Sequence, residues 1–544
     1  MKTTCCVIGL FFLFISCAKK EDENFQAPLF DNMGKLHYQV TTKSKNAQRF
    51  FDQGLSLAYA FNHQEAARSF KEAARLDSTC AMAYWGWALV LGPNINAPMD
   101  PANIDTVNNI VVNALKFKDK CTEKEQALID AIAKRYPPDA TADRAQLDLQ
   151  YSAAMKEVWA KYPDDDNVGA LYGESIMDCH PWDYWKKNGE PQEWTPEIIE
   201  VFEKVLQLNP DHPGANHYYI HAVEASANPD RAIPSADKLP SLIPGGGHIV
   251  HMPAHIYMRV GRYHDAVVAN ENASLVDSLY ISHCKIQGFY PLAYYPHNIH
   301  FLSAAYSMVG NKAGAIKSGK GTSMHTDHSM MGIPALGAAL QHYTTIPDMT
   351  MVRFGMWDEI LKEPEPELIY LKCIWHYSRG MAYTGKNNLV EAENELRILN
   401  ELSEDTILKT LPIFYNTVDK IVMISKQVLE GEILEKSGKH DEAIKSLSLG
   451  VMLEDSLIYN EPSDWFYPVR HHLGAVLMEN KKYAEAEIVY RRDLELNRDN
   501  GWALMGLYLA LKIQNKNAEA EAVKKKFDAA WQWADIKINS SRII

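Results

Sequence analysis

The chain is poor in the features that mark the common enzyme classes. It has no GxSxG, no Walker loop, no GxGxxG after a strand and no HExxH, which sets aside nucleophile-elbow hydrolases, P-loop NTPases, dinucleotide-binding enzymes and zincins. Of its eight cysteines, the five beyond Cys17 are scattered and none forms a CxxC pair, so neither a disulfide framework nor a thiolate metal site is expected. Beyond the first residues no run of eighteen apolar positions occurs, and nothing there is expected to cross a bilayer as a helix. Positive charge is also short. The 55 Lys and Arg face 69 Asp and Glu, giving a formal net charge of −14 without any basic stripe, so nucleic acid is not an expected partner.

What is present begins with Lys2 and an apolar stretch from Cys5 to Ile15, too short to span a membrane and of the length of a secretory h-region. With Phe14-Ile15-Ser16-Cys17 it resembles a bacterial lipoprotein signal peptide over residues 1–16, although Phe14 stands where Leu is commoner. The resemblance implies that Cys17 carries the lipid and that residues 17–44 form a tether; an ordinary signal peptide with another cleavage site is the alternative. Lys19-Lys20-Glu21-Asp22 resembles the tag that sends some Gram-negative lipoproteins to the outer face of the outer membrane. Anchoring to a membrane through an N-terminal lipid, exposed at the cell surface, is the resulting expectation. Cys80, Cys121, Cys179, Cys284 and Cys373 are expected to be buried.

From about Lys45 the apolar residues recur at three- and four-residue intervals, and 544 residues exceed one compact core, so several domains or a solenoid of repeats is expected. The segment FFDQGLSLAYAFNHQEAARSFKEAARLDS resembles a tetratricopeptide repeat, with Gly54 at the small position of its first helix, Leu57 at the large one, then Ala66, Phe70 and Ala73 in the second. The same twelve-residue interval recurs at Ala254/Ala266, Ser303/Ala315, Gly380/Ala392, Gly431/Ala443, Gly474/Ala486 and Gly506/Ala518, with a poorer copy at Ile220/Ala232. Gly261, Gly310 and Gly438 fall where first helices should end. The resemblance implies an all-α superhelix of helical hairpins, an α-solenoid with irregular helical insertions. Its segments are an N-terminal repeat over 45–92, an irregular region with an aromatic loop over 93–195, central repeats over 196–317, an insertion over 318–366 and C-terminal repeats over 367–535.

The central repeats are rich in histidine. His217 and His251 stand 34 positions apart, as do His221 and His255, which is the period of this repeat type. His217/His221 is an i, i+4 pair and His248/His251/His255 an i, i+3, i+7 series, so each set lies on one helix face. In the family the first helix of each repeat lines a concave groove. With Pro213, Gly247 and Pro296 as first helical residues, the resemblance implies that His217, His221, His248, His251, His255, His297, His300 and Glu224 all face it. A third rung through His300 requires an inserted segment within 274–295 to fold aside.

Packed helices lie about 8–10 Å apart, close enough for imidazoles of neighbouring helices to converge on one ion. Such a nitrogen-rich set, with Glu224 or Asp183 nearby, would suit Zn, Cu, Fe or Mn, and an open coordination position would permit catalysis. Two other readings stay open: a neutral polar groove that bonds a sugar or peptide, and histidines satisfied inside a closed solenoid. On the loop before this block, His180, Trp182, Asp183, Tyr184 and Trp185 either stack on a ligand or plug their rings into the fold. The usual task of such solenoids is binding. The expected role is therefore a binding or scaffolding lipoprotein of the cell envelope with a protein, peptide or glycan ligand. Similar lipoproteins accompany polysaccharide-utilisation systems, for example for ulvan, and a metal-dependent enzyme is the alternative.

Overall fold

Eight helix-to-helix turns in the chain are built the same way. Each places one residue in the left-handed region, at Phe61, Gly261, Gly310, Gly355, Asn387, Gly438, Lys481 and Asn515, with φ between 54° and 82°. The following N–H then donates back to the carbonyl five residues earlier, as in Asn62 to Leu57, Arg262 to Tyr257 and Lys516 to Leu511, at 2.8–3.0 Å. This closes the first helix with a Schellman-type cap. Five residues after each left-handed position comes a buried residue of the second helix: Ala66, Ala266, Ala315, Ile360, Ala392, Ala443, Ala486 and Ala520.

Two expectations are corrected by this register. In the last hairpin the buried residue is Ala520, whereas Ala518 is exposed, because the left-handed residue Asn515 comes two positions later than the interval from Gly506 predicts. The stretch 318–366 is not simply an insertion. It completes the helix Lys312–Met324 and then supplies a further pair, Gly337–Arg353 and Trp357–Ile360, turned at Gly355 like the others.

The computed structural model describes residues 26–137, 143–284, 290–333 and 336–544. The signal-peptide reading and Cys17 lie outside them. The fold is all-α: among the described residues the only named strands are the two-residue pair Pro412–Ile413 and Asn416–Thr417. No described helix is long and apolar enough to cross a membrane. Contacts divide the chain into two units. One comprises Met1–Asp183, Pro196–Tyr218 and Lys238–Ile249, the other Tyr184–Thr195, Tyr219–Asp237 and Val250–Ile544.

In the first unit, Ser44 caps the helix Lys45–Tyr59 by accepting from the Ala47 N–H, and the helix packs on His63–Leu76. A Cβ built on Gly54 would lie 2.8 Å from the Phe70 ring, and one on Gly86 2.4 Å from it. The ring is thus clamped between two glycine backbones, which explains the small-residue position physically: no other side chain leaves room for it. Helices over 93–183 continue the stacking, and Gly173 in Asp166–Cys179 admits Phe202 in the same manner.

In the second unit Tyr490 repeats the device between Gly474 and Gly506, with Cβ approaches of 2.4 and 2.2 Å. The hairpins Ile369–Gly385/Leu389–Leu402, Val418–Lys436/His440–Glu454, Val469–Glu479/Tyr483–Leu496 and Gly501–Ile513/Asn517–Ala530 follow in order. The C-terminal segment returns to them: buried Arg542 donates to Glu432 at 2.6 Å and to Glu479 at 2.8 and 3.1 Å, while the Ser541 hydroxyl donates to the His471 carbonyl at 2.6 Å. Burial alone would raise the Glu432 carboxyl, but Arg542 and His472 hold it down at about 2.

Candidate metal centre

The helix Pro213–Val223 begins where the sequence places it, and so does Gly247–His251. The latter stops after five residues because Pro253, which has no N–H, starts a separate helix, Pro253–Arg259, with the His255 N–H reaching the Met252 carbonyl at 3.2 Å. The break leaves His251 and His255 on adjoining pieces with their rings 4.9 Å apart.

In the second unit His221, His251 and His255 are each oriented through Nδ1. His255 donates to one oxygen of Glu224 at 2.5 Å, and His221 to the other at 2.8 Å. His251 donates to Asn270 Oδ1 at 2.6 Å, whose amide is fixed because its Nδ2 donates to the Ala266 carbonyl at 2.8 Å. Carboxylate and amide oxygens only accept, so the Nδ1 atoms carry the hydrogens and the Nε2 atoms carry lone pairs. The Nε2 atoms of His251 and His255 then face each other at 2.9 Å. Two lone pairs at that distance repel, and a cation between them removes the repulsion. Tetrahedral zinc with nitrogen ligands at about 2.0–2.1 Å sets neighbouring donors roughly 3.3 Å apart, close to what is seen.

His297 completes the set: a nitrogen of His251, His255 and His297 each lies within 4.8 Å of the others. Its ring is 4.9 Å from that of His251, and it alone of the three is partly exposed. Phe301, one helical turn on, packs 4.6 Å from both the His251 and His255 rings and closes the apolar side. Burial keeps all three imidazoles neutral, holding His255 down at about 3 and His251 and His297 well below the usual histidine range, with the neighbouring imidazoles adding to the effect for the latter two. Neutral imidazole is the ligating form.

Three site expectations change. The open groove is replaced by burial: His217, His221, His248, His251, His255 and His300 are each at most 3% exposed, because the flanking aromatics close over them. Glu224 orients two imidazoles, and both its oxygens are taken up in doing so; Tyr459, itself bonded to Glu461, adds a hydroxyl to one of them at 3.2 Å. It thus supports the ligands, and with His221 and His255 it also forms a second set whose ligand atoms lie within 4.8 Å of one another. His300 does not form the third rung. It faces His342, Tyr343 and Phe466, with ring centroids at 5.8, 5.7 and 6.3 Å, since His297 and Phe301 occupy the face turned to His251.

A second, smaller pair belongs to the first unit. His217 donates from Nδ1 to the Tyr59 carbonyl at 2.7 Å, and its Nε2 lies 3.2 Å from Nε2 of His248. Phe61 packs against both rings, at 4.6 and 5.5 Å. The aromatic loop is turned inward. Tyr184 is buried; Trp182 donates its indole N–H to Asn96 at 3.1 Å and Trp185 to the Ala222 carbonyl at 2.8 Å; His180 is half-buried and Asp183 exposed. Stacking on a ligand is left to the half-exposed edges of the two indoles.

Asn270, Tyr459, Phe301 and the Tyr59 carbonyl were not marked by the histidine pattern. The last three lie outside the spacing that singled out the ligands, and a buried Asn in a second helix carries no periodic signal.

No protein-family model and no curated protein matches this chain. Among solved structures it is similar to the APC/C hetero-tetramer Cut9–Hcn1, at 12% identity over 90% of this chain and 74% of that one, with a TM-score of 0.30. It is also similar to the human IFIT1 dimer with m7Gppp-AAAA, at 13% identity over 91% and 92% with a TM-score of 0.30. To yeast Tom70 the identity is 12%, over 89% and 90%, with a TM-score of 0.26. The assignment to helical-hairpin repeats rests on the turns and clamped aromatics of this chain itself.

Proposed function

We propose that the protein is a binding protein of the cell envelope whose central histidines hold a divalent transition metal, with His251, His255 and His297 as ligands and a position left for water or a further ligand. The observation that carries this reading is the 2.9 Å approach of two Nε2 atoms whose Nδ1 hydrogens are both committed to oxygen acceptors. A set of three imidazoles with an open position is the arrangement of catalytic rather than structural zinc, and Zn, Cu, Fe and Mn all accept imidazole. Burial of the histidines speaks against a sugar or peptide bonding them directly. The repeat surfaces would serve a protein, peptide or glycan partner, since stacked hairpins commonly bind.

Attachment through a lipid on Cys17 is supported by the resemblance of residues 1–16 to a lipoprotein signal peptide. Exposure on the outer membrane rests on the Lys-then-acidic stretch that follows, and a role beside polysaccharide uptake on likeness to lipoproteins of such systems. Elemental analysis of untagged protein, set beside a His251→Ala/His255→Ala variant, tests the metal. Bound metal in the first and not in the second is expected; none in either sinks the proposal. Membrane fractionation of Cys17→Ser tests the anchor separately, and a variant that stays with the membrane overturns it.

A further inference from the structure

A cleft of about 640 Å³ opens in the second unit, away from the histidines, lined by the helices Lys312–Met324, Gly337–Arg353 and Ile369–Gly385 and by the segment from Glu363 to Pro366. Its volume is that of a small-molecule site. Most of its wall is apolar, from Met324, Met351, Leu371 and Trp375 with three prolines. Its polar wall groups are largely spent: Thr344 and Thr345 donate to the Leu340 and His342 carbonyls, and the Trp375 indole donates to the Glu363 carbonyl at 3.0 Å.

Asp348 is the exception. It is partly buried in this wall, and no described residue gives it a hydrogen bond or an ion pair. Burial first, and then the Glu363 charge, push its carboxyl up to about 7. The residue before it, Pro347, sits inside the helix and brings no N–H to the Tyr343 carbonyl, which adds a second acceptor to the same turn. The basic side chains that line the cleft are Lys320, which is exposed, and His328, also exposed, whose Nε2 donates to the Ser323 carbonyl at 3.0 Å. An uncompensated carboxyl in an apolar wall is unfavourable by itself and becomes favourable when a partner of opposite charge fills the space beside it.

We propose that this cleft binds a small organic cation, a primary amine on an apolar stem, with the ammonium paired to Asp348 and the stem lying along Met351, Leu371 and Trp375. An anion would meet Asp348 and Glu363 first. A bare metal ion would find two carboxylates, Asp348 and the exposed Glu363, among thioethers and prolines, too few oxygen ligands for a hard cation.

Calorimetric titration of the full chain with n-butylammonium chloride, with n-butanol as the uncharged isostere, tests this. Saturable binding of the amine at millimolar concentrations and none of the alcohol is expected. Asp348→Asn should weaken the amine about ten- to hundredfold, the size of a lost charge-assisted bond. Lys320→Ala at the rim should leave it unchanged or tighter. Equal binding of amine and alcohol, undiminished binding in a folded Asp348→Asn variant, or no binding of the amine at all overturns the proposal. The His251→Ala/His255→Ala variant should bind the amine normally, which separates this cleft from the metal reading.

Discussion

His255 donates from Nδ1 to Glu224, across 31 positions of sequence, at 2.5 Å. The same carboxylate holds His221 through its other oxygen, so one side chain fixes two rings and their tautomers. Glu224→Gln keeps the shape and removes the charge. It is expected to weaken metal binding about 10–100-fold while leaving the helical circular-dichroism spectrum intact. Competition against a chromophoric chelator reads the affinity, and an unchanged value would remove Glu224 from the support of the site.

Acid should loosen the fold before it reaches the carboxylates. His212 and His342 are buried and His63 is half-buried, and desolvation holds each of them at about 4. The unfolded chain takes up these protons near pH 6.5, the folded one only near 4, so the stabilising contribution is complete above 6.5 and is lost as the pH falls toward 4. Each histidine accounts for about 1.4 kcal/mol per pH unit in that window. Urea midpoints at pH 7.5, 6 and 5 should decline steadily, and His342→Gln should flatten the decline if the variant folds.

The C-terminal segment is a clasp. Arg542→Ala leaves buried Glu432 without its guanidinium partner and is expected to destabilise the second unit by about 3–5 kcal/mol. Because Glu432 is held at about 2, its contribution is present above the ordinary carboxylate value and is lost only as the pH falls from about 4.5 through 2. Thermal denaturation at pH 7 checks the first statement. Convergence of wild type and variant near pH 2 checks the second.

The turns provide a test of backbone alone. Gly438 has φ +76° and nothing within 4 Å of a built Cβ, so Gly438→Ala should cost about 1 kcal/mol from conformation without any clash. Lys481 holds φ 61° at the equivalent place, and Lys481→Gly is expected to stabilise by a similar amount. Denaturant midpoints moving the other way would remove the shared turn geometry.

Register is checked just as directly. Ala520→Lys should destabilise strongly, since Ala520 is buried, whereas Ala518→Lys should change the melting temperature little.

Much of this organisation is legible in the sequence because it is periodic. Gly54 and Ala66 announce the first hairpin, and the 34-residue echo of His217/His221 in His251/His255 announces stacked ligands. What escapes is set by tertiary packing. Asn515 takes its left-handed turn two positions late and with no glycine to signal it, which hides the shift to Ala520, and the hairpin turned at Gly355 carries Asp348 and Ile360 where the fixed interval looks for small residues. The closing of the groove depends on Phe61 and Phe301, which read as ordinary core residues until the helices pack. The replacement of His300 by His297 follows from the face the helix Tyr295–Met308 presents, and a difference of three positions in register decides it.

The unequal exposure of the three ligating histidines has a kinetic meaning. His251 and His255 are sealed, and His297 is the partly open edge. An ion held there leaves no faster than that edge yields. Removal by a chelator should therefore be slow and nearly independent of chelator concentration, with the rate set by the protein's own local opening.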